Sequence, residues 1–435
     1  MANLAVLRQV EPAVMLQQLS STMYDTALQL VVRDWTANTS YAGLSPEDSH
    51  QKAMTDFFMT YNLIIKLGPV LPALLLARLG DRGWRKVPIV VPLCGYLLLR
   101  LSLLLVLFCG LPLPVMFGAA AVFGLSGGFC SYWAGVMTAT SLRSTAEERS
   151  KTMMIVELLY GMMGLLGSLA SGHLFLLSTP SLTHGTILLI SSVLSHLLCL
   201  LHSIFLLQVK EVSVSEENRP LLSPPSSHTT DAAAEAPVKV VNVLLLFTAA
   251  FLYDFAVGGA VEVLGSFVLK EPLSWSATQV GYGNAAGFTI YITSFLGVIV
   301  FRRYISDISI VLIGMLSFAF GIYFTTFVTR TWMFYLARSL TLFALIPVPT
   351  IRSLLSQQVP SSLYSMTLTI LQITFIIAAL IYIPVFTKIY QSVLDWCPGF
   401  VFTLSSVVTV LGTVPVSILS NRLPARQRNQ RLTGT

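Results

Sequence analysis

Long apolar runs, separated by short polar segments, dominate this chain. Twelve of them exceed the about 20 mostly apolar residues that a transmembrane helix needs. They fall into two groups of six, which predicts an all-α membrane protein with twelve spans. The first group covers residues 10–32, 56–78, 87–108, 112–138, 152–176 and 184–208, and the second covers 240–265, 279–301, 308–329, 331–352, 363–388 and 399–420.

A polar stretch separates the two groups. Residues 209–239 include EVSVSEENRPLLSPPSSHTTDAAAEAP, which is too polar to form a packed core and is predicted to be a disordered linker. We therefore expect a six-helix bundle over 1–208, a second bundle over 240–421 and a basic tail over 422–435. Two six-helix halves joined by a polar linker are the architecture of the major facilitator fold.

Composition agrees with a protein that lies mostly in lipid. Hydrophobic residues make up 54% of the 435 residues and charged residues only 11%, whereas soluble domains carry about 25% charged residues. The sequence shows no nucleophile–base motif, no paired carboxylates and no metal-ligand spacing. We therefore predict neither an enzyme nor a nucleic-acid-binding protein, and no metal or organic cofactor.

Lys and Arg residues are shared unevenly between alternate loops. If the N-terminus lies inside, 18 of the 26 Lys and Arg residues fall in cytoplasmic segments and five in outer segments. Positive residues are retained on the cytoplasmic side of a membrane. The glycosylation sequon at Asn38 falls in the first predicted outer loop. Both termini and the linker are therefore expected in the cytoplasm, with a glycosylated outer loop.

The loop between the second and third runs carries a charged motif. Residues 77–86 read ARLGDRGWRK, which resembles the major facilitator signature G-x-L-A-D-R-x-G-R-K. Asp81 is expected to face a helix N-terminus of the other half and to hold the cytoplasmic gate shut, while Arg82 and Arg85 pair with carboxylates. The alternative is a positively charged loop with no special geometry.

Ionisable side chains inside the first six runs are costly in lipid and mark functional or paired positions. Asp25 either lines a cavity or pairs with Lys66 on the adjacent helix. Glu157 lies in the fifth run, where glycines at helical spacing permit close helix contact. It is expected to be a lone carboxylate that exchanges the coupling proton. The alternative is a pair with Arg149 or Lys151.

The second half carries four ionisable side chains of the same kind. Asp254 and Glu262 share one face of the seventh run and are expected in the cavity, unless Glu262 is merely solvated near the outer end. Arg338 and Arg352 in the tenth run predict a cationic wall that suits a carboxylate, sulfate or phosphate. In the alternative interpretation, Arg352 extends to the cytoplasmic surface.

Two local signals complete the pattern. Pro347 and Pro349 should break the tenth helix and free backbone groups where a substrate can sit. In the linker, Glu217, Leu221 and Leu222 fit the acidic dileucine pattern [DE]xxxL[LI]. That pattern predicts sorting by a clathrin adaptor and a location at the plasma membrane, the endosome or the lysosome.

Several strings together resemble the solute carrier family 46, the branch of the major facilitator superfamily that contains the proton-coupled folate transporter. They are MYD (23–25), SGG (126–128), YWAGVM (132–137), LASGHLF (169–175), KEPLSW (270–275), VGYGNAAGFTIYITSFLGV (280–298), MFYLAR (333–338), FALIPVPTIRS (343–353) and KIYQ (388–391). The resemblance covers nearly the whole chain except the linker and the tails.

This resemblance implies uptake of organic anions such as folates, antifolates, steroid sulfates or bacterial muropeptides. By the same resemblance, Asp81 and Arg85 match the gate residues, Glu157 the proton-coupling carboxylate and Arg352 the basic residue of the tenth helix. The chain departs from the folate branch in the seventh run, where residues 253–256 contain no histidine.

Taken together, these patterns predict a monomeric secondary active transporter that moves small organic anions with protons by alternating access. The alternative is a receptor or scaffold with a transporter fold that signals without net transport. Measuring flux of a labelled solute against its binding would separate the two hypotheses.

Overall fold

The computed structural model is α-helical and shows no strand over the residues that it describes. These residues are 8–36, 46–146, 148–176, 184–209, 240–269, 273–275, 277–393, 397 and 399–422.

Eight helices build the six spanning positions of the first half. They are α1 (Glu11–Thr36), α2 (Pro46–Leu67), α3 (Val70–Asp81), α4 (Val87–Cys109), α5 (Val115–Leu125), α6 (Gly128–Arg143), α7 (Arg149–Leu176) and α8 (His184–Leu201), and α8 continues as a π-helical turn (His202–Leu206). The second predicted run is thus divided between α2 and α3, and the fourth between α5 and α6.

The second half repeats this plan with seven helices. They are α9 (Val240–Leu269), α10 (Ala277–Phe301), α11 (Asp307–Thr325), α12 (Thr331–Leu340), α13 (Pro347–Gln358), α14 (Tyr364–Ser392) and α15 (Phe400–Arg422). A single 3₁₀ turn (Ser361–Leu363) leads into α14. The tenth predicted run is divided between α12 and α13, so the fourth span of each half is interrupted.

Nine stretches of the described chain have the length and hydropathy of a membrane span. They are Asp56–Asp81, Val87–Cys109, Val115–Arg143, Arg149–Ser171, Thr186–Leu206, Val240–Gly265, Asp307–Thr325, Ser361–Tyr390 and Phe400–Arg422. Large apolar side chains such as Leu71, Leu105, Phe205 and Phe320 are exposed on the outside of the bundle. Such a surface suits contact with lipid, since soluble proteins rarely expose so much contiguous apolar area.

Glycines of α7 let neighbouring helices approach closely, as expected from their spacing. A Cβ atom built at Gly167 would lie 1.9 Å from Oγ1 of Thr22 on α1, and one at Gly161 would lie 2.6 Å from the ring of Tyr291 on α10. A larger side chain at either position would force the helices apart. Helix α7 therefore packs tightly against both its own half and the opposite half.

The two halves meet along a limited set of helices. Helices α3 and α6 pack against α14, and α7 packs against α10 and α13. These helices carry several of the ionisable residues that the sequence places inside or beside the spans. The interface between the halves is therefore where the candidate site lies.

Candidate functional site at the interface of the two halves

A buried ion pair joins the two halves. Nη1 of Arg352 on α13 donates to Oε1 of Glu157 on α7. The two side chains are only 6% and 11% exposed. The guanidinium also lies 5.9 Å from the ring centroids of both Trp133 and Phe375. Aromatic rings therefore cover a charge pair that is largely shielded from water.

This arrangement corrects two expectations from the sequence. Glu157 is not a lone carboxylate, and its partner is neither Arg149 nor Lys151. Arg149 starts the same helix eight residues earlier, which is about 12 Å along the axis. Arg352 does not extend to the surface, because it is buried against Glu157. The proton-coupling role of Glu157 stays a prediction.

The charged motif after α3 contacts the N-terminus of α14 in the other half. The two carboxylate oxygens of Asp81 accept hydrogen bonds from the backbone N–H groups of Ser365 and Met366, each at 2.9 Å. Nη1 of Arg85 lies 3.4 Å from Oδ1 of Asp81 and 3.4 Å from the carbonyl oxygen of Ser361. A carboxylate at a helix N-terminus is favoured by the helix dipole. Asp81 thus ties α3 to α14.

Arg82 does not take part in this contact. Its side chain is exposed and forms no ion pair within the part of the chain that the structure describes, while its backbone N–H donates to the carbonyl of Arg78. Arg149 extends the contact instead, because its Nη1 donates to Oγ of Ser356 at 3.0 Å and to the hydroxyl of Tyr364 at 3.3 Å. The halves are therefore fastened together at this end of the molecule.

Two carboxylates of α9 lie at different depths. Asp254 is half-buried and lies within electrostatic range of Arg352 and Tyr382. Glu262, two turns further along, is exposed and also lies within range of Tyr382. The structure thus brings Asp254 close to the central ion pair and leaves Glu262 nearer the opposite end.

The two arginines of the tenth run do not form one cationic wall. Arg338 lies on α12 and Arg352 on α13, on opposite sides of the break between these two helices. The guanidinium of Arg338 lies 5.3 Å from the ring centroid of Phe334. Its Nε is buried without a hydrogen-bond partner among the described residues. Arg352 is neutralised by Glu157, so the two positive charges act in separate places.

The break between α12 and α13 occurs just before the two prolines, as predicted. The freed backbone groups, however, are largely satisfied by protein side chains. The carbonyl oxygen of Leu342 accepts hydrogen bonds from the hydroxyls of Thr293 (2.7 Å) and Ser294 (3.0 Å), and that of Ala344 accepts one from Tyr253. These two carbonyl groups are therefore not free for a substrate, contrary to the expectation.

Asp25 lies on α1 and does not pair with Lys66. Both side chains are exposed, and no ion pair joins them in the described part of the chain. Asp25 instead lies within electrostatic range of Arg100 on α4. Arg100 is fully buried and bonded to serines, including Ser20 of α1. Arg100 falls inside the third predicted run, 87–108, and the hydroxyls of Ser20 and Ser21 in the first run supply hydrogen-bond partners that its burial requires.

Some predicted sites lie outside the described residues. These are the sequon at Asn38 and the linker residues Glu217, Leu221 and Leu222. Among the described residues, no group of three or more His, Cys, Asp or Glu side chains is arranged to hold a metal ion.

Comparison with known proteins places these features in a family context. The sequence pattern of the Major Facilitator Superfamily matches residues 12–375. Dog solute carrier family 46 member 2 is 39% identical, over 94% of this chain and 92% of its own length. The human lysosomal proton-coupled steroid conjugate and bile acid symporter SLC46A3 is 26% identical, over 94% of each chain.

Solved structures show the same fold. The human organic anion transporter MFSD10 matches with a TM-score of 0.65 at 16% identity, covering 94% of this chain and 97% of its own. The Escherichia coli fucose:proton symporter FucP matches with a TM-score of 0.67 at 12% identity, covering 96% and 98%. These matches confirm the predicted all-α fold with two six-helix halves.

Proposed function

Because this chain belongs to the solute carrier family 46 of the major facilitator superfamily, we propose that it carries small organic anions across a membrane together with protons. It is a transporter rather than an enzyme. Steroid sulfates, folates, antifolates and muropeptides are the proposed substrates. The name of the human relative, a proton-coupled symporter of steroid conjugates and bile acids, supports this substrate class.

The ion pair between Glu157 and Arg352 is the observation that carries the proposal. While the pair is intact, the guanidinium of Arg352 is neutralised and has little to offer a solute anion. Protonation of Glu157 removes the negative charge and leaves the guanidinium free to bind a carboxylate, sulfate or phosphate. One proton and one anionic charge then enter together. The buried centre keeps its charge balance, which a low-dielectric site requires.

Asp254 gives this exchange a second carboxylate. Asp254 belongs to the second half, whereas Glu157 belongs to the first half, and Asp254 lies within electrostatic range of Arg352. When Glu157 is protonated, Asp254 and the solute anion compete for the same guanidinium. We propose that this competition weakens the binding of the anion enough to allow its release.

The contacts of Asp81 and Arg149 supply the gate. Opening this end of the molecule requires that Asp81 leave the N-terminus of α14 and that Arg149 leave Ser356 and Tyr364. By the proposed orientation this end faces the cytoplasm, so the structure corresponds to the state closed to the cytoplasm. Release of the solute on that side would follow the breaking of these contacts.

Uptake into proteoliposomes at acidic and neutral outer pH tests the proposal. With a labelled steroid sulfate, folate or muropeptide, we expect acid-stimulated uptake by the wild type. Glu157→Gln should give slow uptake with a much weaker response to pH. Ser168→Ala is the matched control on α7, because Ser168 is exposed and, among the described residues, bonds only to the carbonyl of Gly164 in its own helix.

Two outcomes would contradict the proposal. If Glu157→Gln transported every tested anion as the wild type does, Glu157 could not be the coupling carboxylate. If the wild type bound a labelled anion without any flux, a receptor or scaffold would replace the transporter. Both results are measured on the same preparation, so they are distinguishable.

The proposal extends to topology and sorting. We propose that the protein is a monomer with both termini in the cytoplasm and that it is glycosylated at Asn38. We also propose that a clathrin adaptor binds Glu217, Leu221 and Leu222 and routes the protein between the plasma membrane and the lysosome. The relative named as lysosomal supports this location. Replacing both leucines with Ala should raise the surface fraction, and Asn38→Gln should abolish the mobility shift caused by glycosidase.

A further inference from the structure

Arg100 is a fully buried cation whose hydrogen-bond partners are all neutral. Its Nε donates to the hydroxyls of Ser20 (2.9 Å) and Ser192 (3.1 Å), and its Nη2 donates to Ser21 (2.9 Å). Its Nη1 donates to the carbonyl oxygen of Tyr96 at 3.1 Å. A buried charge is costly unless a counter-charge offsets it, even when its hydrogen bonds are satisfied.

Aromatic rings offset part of this charge. The guanidinium carbon lies 5.4 Å from the ring centroid of Tyr24 and 5.0 Å from that of Tyr96, a distance at which cation–π attraction operates. Within the described part of the chain, Arg100 forms no ion pair with a carboxylate. Its counter-charge must therefore act from a greater distance.

Asp25 is in the position to supply that counter-charge. It follows Tyr24 and lies one helical turn after Ser21, and residues at this spacing have Cβ atoms about 5–6 Å apart. Ser21 itself touches the guanidinium of Arg100. The side chain of Asp25 is exposed, whereas that of Arg100 is completely buried.

Helix α1, which carries Asp25, packs against α7. Asp25 lies within electrostatic range of Tyr160 on α7. The ring of Tyr160 packs against Trp133 at 4.9 Å, and Trp133 covers Arg352 of the central ion pair. A chain of neighbouring side chains, Tyr160 and Trp133, therefore connects Asp25 with the central ion pair.

We propose that Asp25 is a proton-titrated counter-ion of Arg100. When the carboxylate is ionised, it cancels the positive potential of Arg100 at the cavity wall. When a proton from cavity water binds a carboxylate oxygen, that potential reaches the cavity and attracts an anion. Arg100 is thus a positioning residue that couples proton binding to anion binding without touching the anion. The inference rests on the proposed function, but its test does not require a measurement of transport.

Other titratable groups surround the pair and must be separated from it. They are Tyr24, Tyr61, Tyr96, Tyr160, His196 and Cys199. Of these residue types, only His ordinarily titrates between pH 5 and 8. Nε2 of His196 lies 2.8 Å from the carbonyl oxygen of Leu93, to which it can only donate. His196→Gln is therefore a necessary control.

A reporter cysteine at Gln29 measures the local potential. Gln29 is exposed and lies one turn after Asp25 on α1. The reporter Gln29→Cys is made in the full-length protein after Cys94, Cys109 and Cys397 are replaced by Ser. An anionic and a cationic methanethiosulfonate reagent are compared at acidic and neutral pH. Both react with the same thiolate, so the ratio of the two rates reports the potential alone.

We expect this ratio, anionic over cationic, to rise several-fold as the pH falls. Asp25→Asn should hold the ratio high at both pH values. Arg100→Gln should lower the ratio at each pH, because it removes the positive charge and leaves the titrating carboxylate in place. Arg100→Lys keeps the charge and should keep the pH dependence. Ser192→Ala removes a hydrogen bond without removing charge and should behave as Arg100→Lys does, as should His196→Gln.

A ratio that does not change with pH while Asp25 and Arg100 are both present would overturn the inference. So would a pH dependence that survives Asp25→Asn, which decides the matter even if Arg100→Gln fails to fold. Loss of solute uptake with an intact pH response of the ratio would instead count against the proposed function. The two failures are therefore distinguishable.

Discussion

Glu157 on α7 and Arg352 on α13 form a buried ion pair that joins the two halves of the protein. The residues are 195 positions apart in sequence. Aromatic rings of Trp133 and Phe375 cover the guanidinium. Such a pair fastens the two halves together, and we propose that protonation of Glu157 frees the guanidinium of Arg352. Its energetics and its role in transport can be tested separately.

Replacing one member of the ion pair should destabilise the protein more than replacing both members. Removing one member of a buried pair typically costs about 3–5 kcal/mol, because the other charge is left uncompensated. We therefore expect Arg352→Gln to lower the apparent melting temperature in detergent markedly. The double variant Glu157→Gln with Arg352→Gln should recover most of the loss. Additive losses in the double variant would show that the two charges do not depend on each other.

Neutralising the gate carboxylate should favour the state that is open at this end. Asp81→Asn keeps the shape but loses the charge that accepts two backbone N–H groups of α14. A helix-capping side chain contributes about 0.5–2 kcal/mol, and about 1.4 kcal/mol changes an equilibrium tenfold. We expect a shift of roughly that size between the closed and open states.

Disulfide formation between cysteines at Ser150 and Thr350 measures this shift. Their hydroxyl oxygens lie 3.2 Å apart across the closed interface, so cross-linking should slow when the gate opens more often. Arg78→Gln is the matched control, since Arg78 is exposed at the same end. Equal cross-linking rates in the wild type and Asp81→Asn would argue against a gating role for Asp81.

A local motif predicted the contact of Asp81 with a helix N-terminus of the other half, whereas the partner of Glu157 could not be predicted. The charged motif specifies a short turn next to a helix end, and the apolar runs specify helices because lipid cannot satisfy an open backbone. The partner of Glu157, however, depends on how the two halves dock. No periodicity within α7 or α13 encodes that arrangement. The sequence therefore gave Glu157 a plausible but wrong set of neighbours.

The helix breaks show the same distinction. Pro347 and Pro349 predicted the break before α13, because proline has no backbone N–H with which to continue the hydrogen bonds of a helix. The break at Ser126 and Gly127 went unpredicted, since small residues are common inside membrane helices. The backbone torsions of Gly127 and Gly128, with φ of +90° and +52°, reveal the left-handed conformation there.

Gly127→Ala should destabilise the protein more than a nearby glycine substitution. Gly127 has positive φ, and an added Cβ would lie 2.6 Å from Cδ1 of Leu76 and 2.8 Å from Cβ of Ser131. Strained backbone of this kind costs about 1–3 kcal/mol. Gly118→Ala is the control in the same span, because a Cβ there meets no atom within 4 Å. The apparent melting temperatures of both variants check this, and equal values would refute the steric argument.

The carbonyl group of Leu342 should tolerate the loss of one hydroxyl partner but not of both. Thr293 and Ser294 both donate to it at the break between α12 and α13. A buried acceptor without any partner costs about 1–3 kcal/mol. We therefore expect Thr293→Val alone to change the apparent melting temperature little. Ser294→Ala should lower it more, because Oγ of Ser294 also accepts from the backbone N–H of Leu345 at 3.3 Å. The double variant should lower it by more than the sum. Thr248→Val is the control, since Thr248 is exposed and bonds within α9. Strictly additive effects would mean that water or a rearranged backbone replaces these hydroxyls, and the break would then be open to a solute after all.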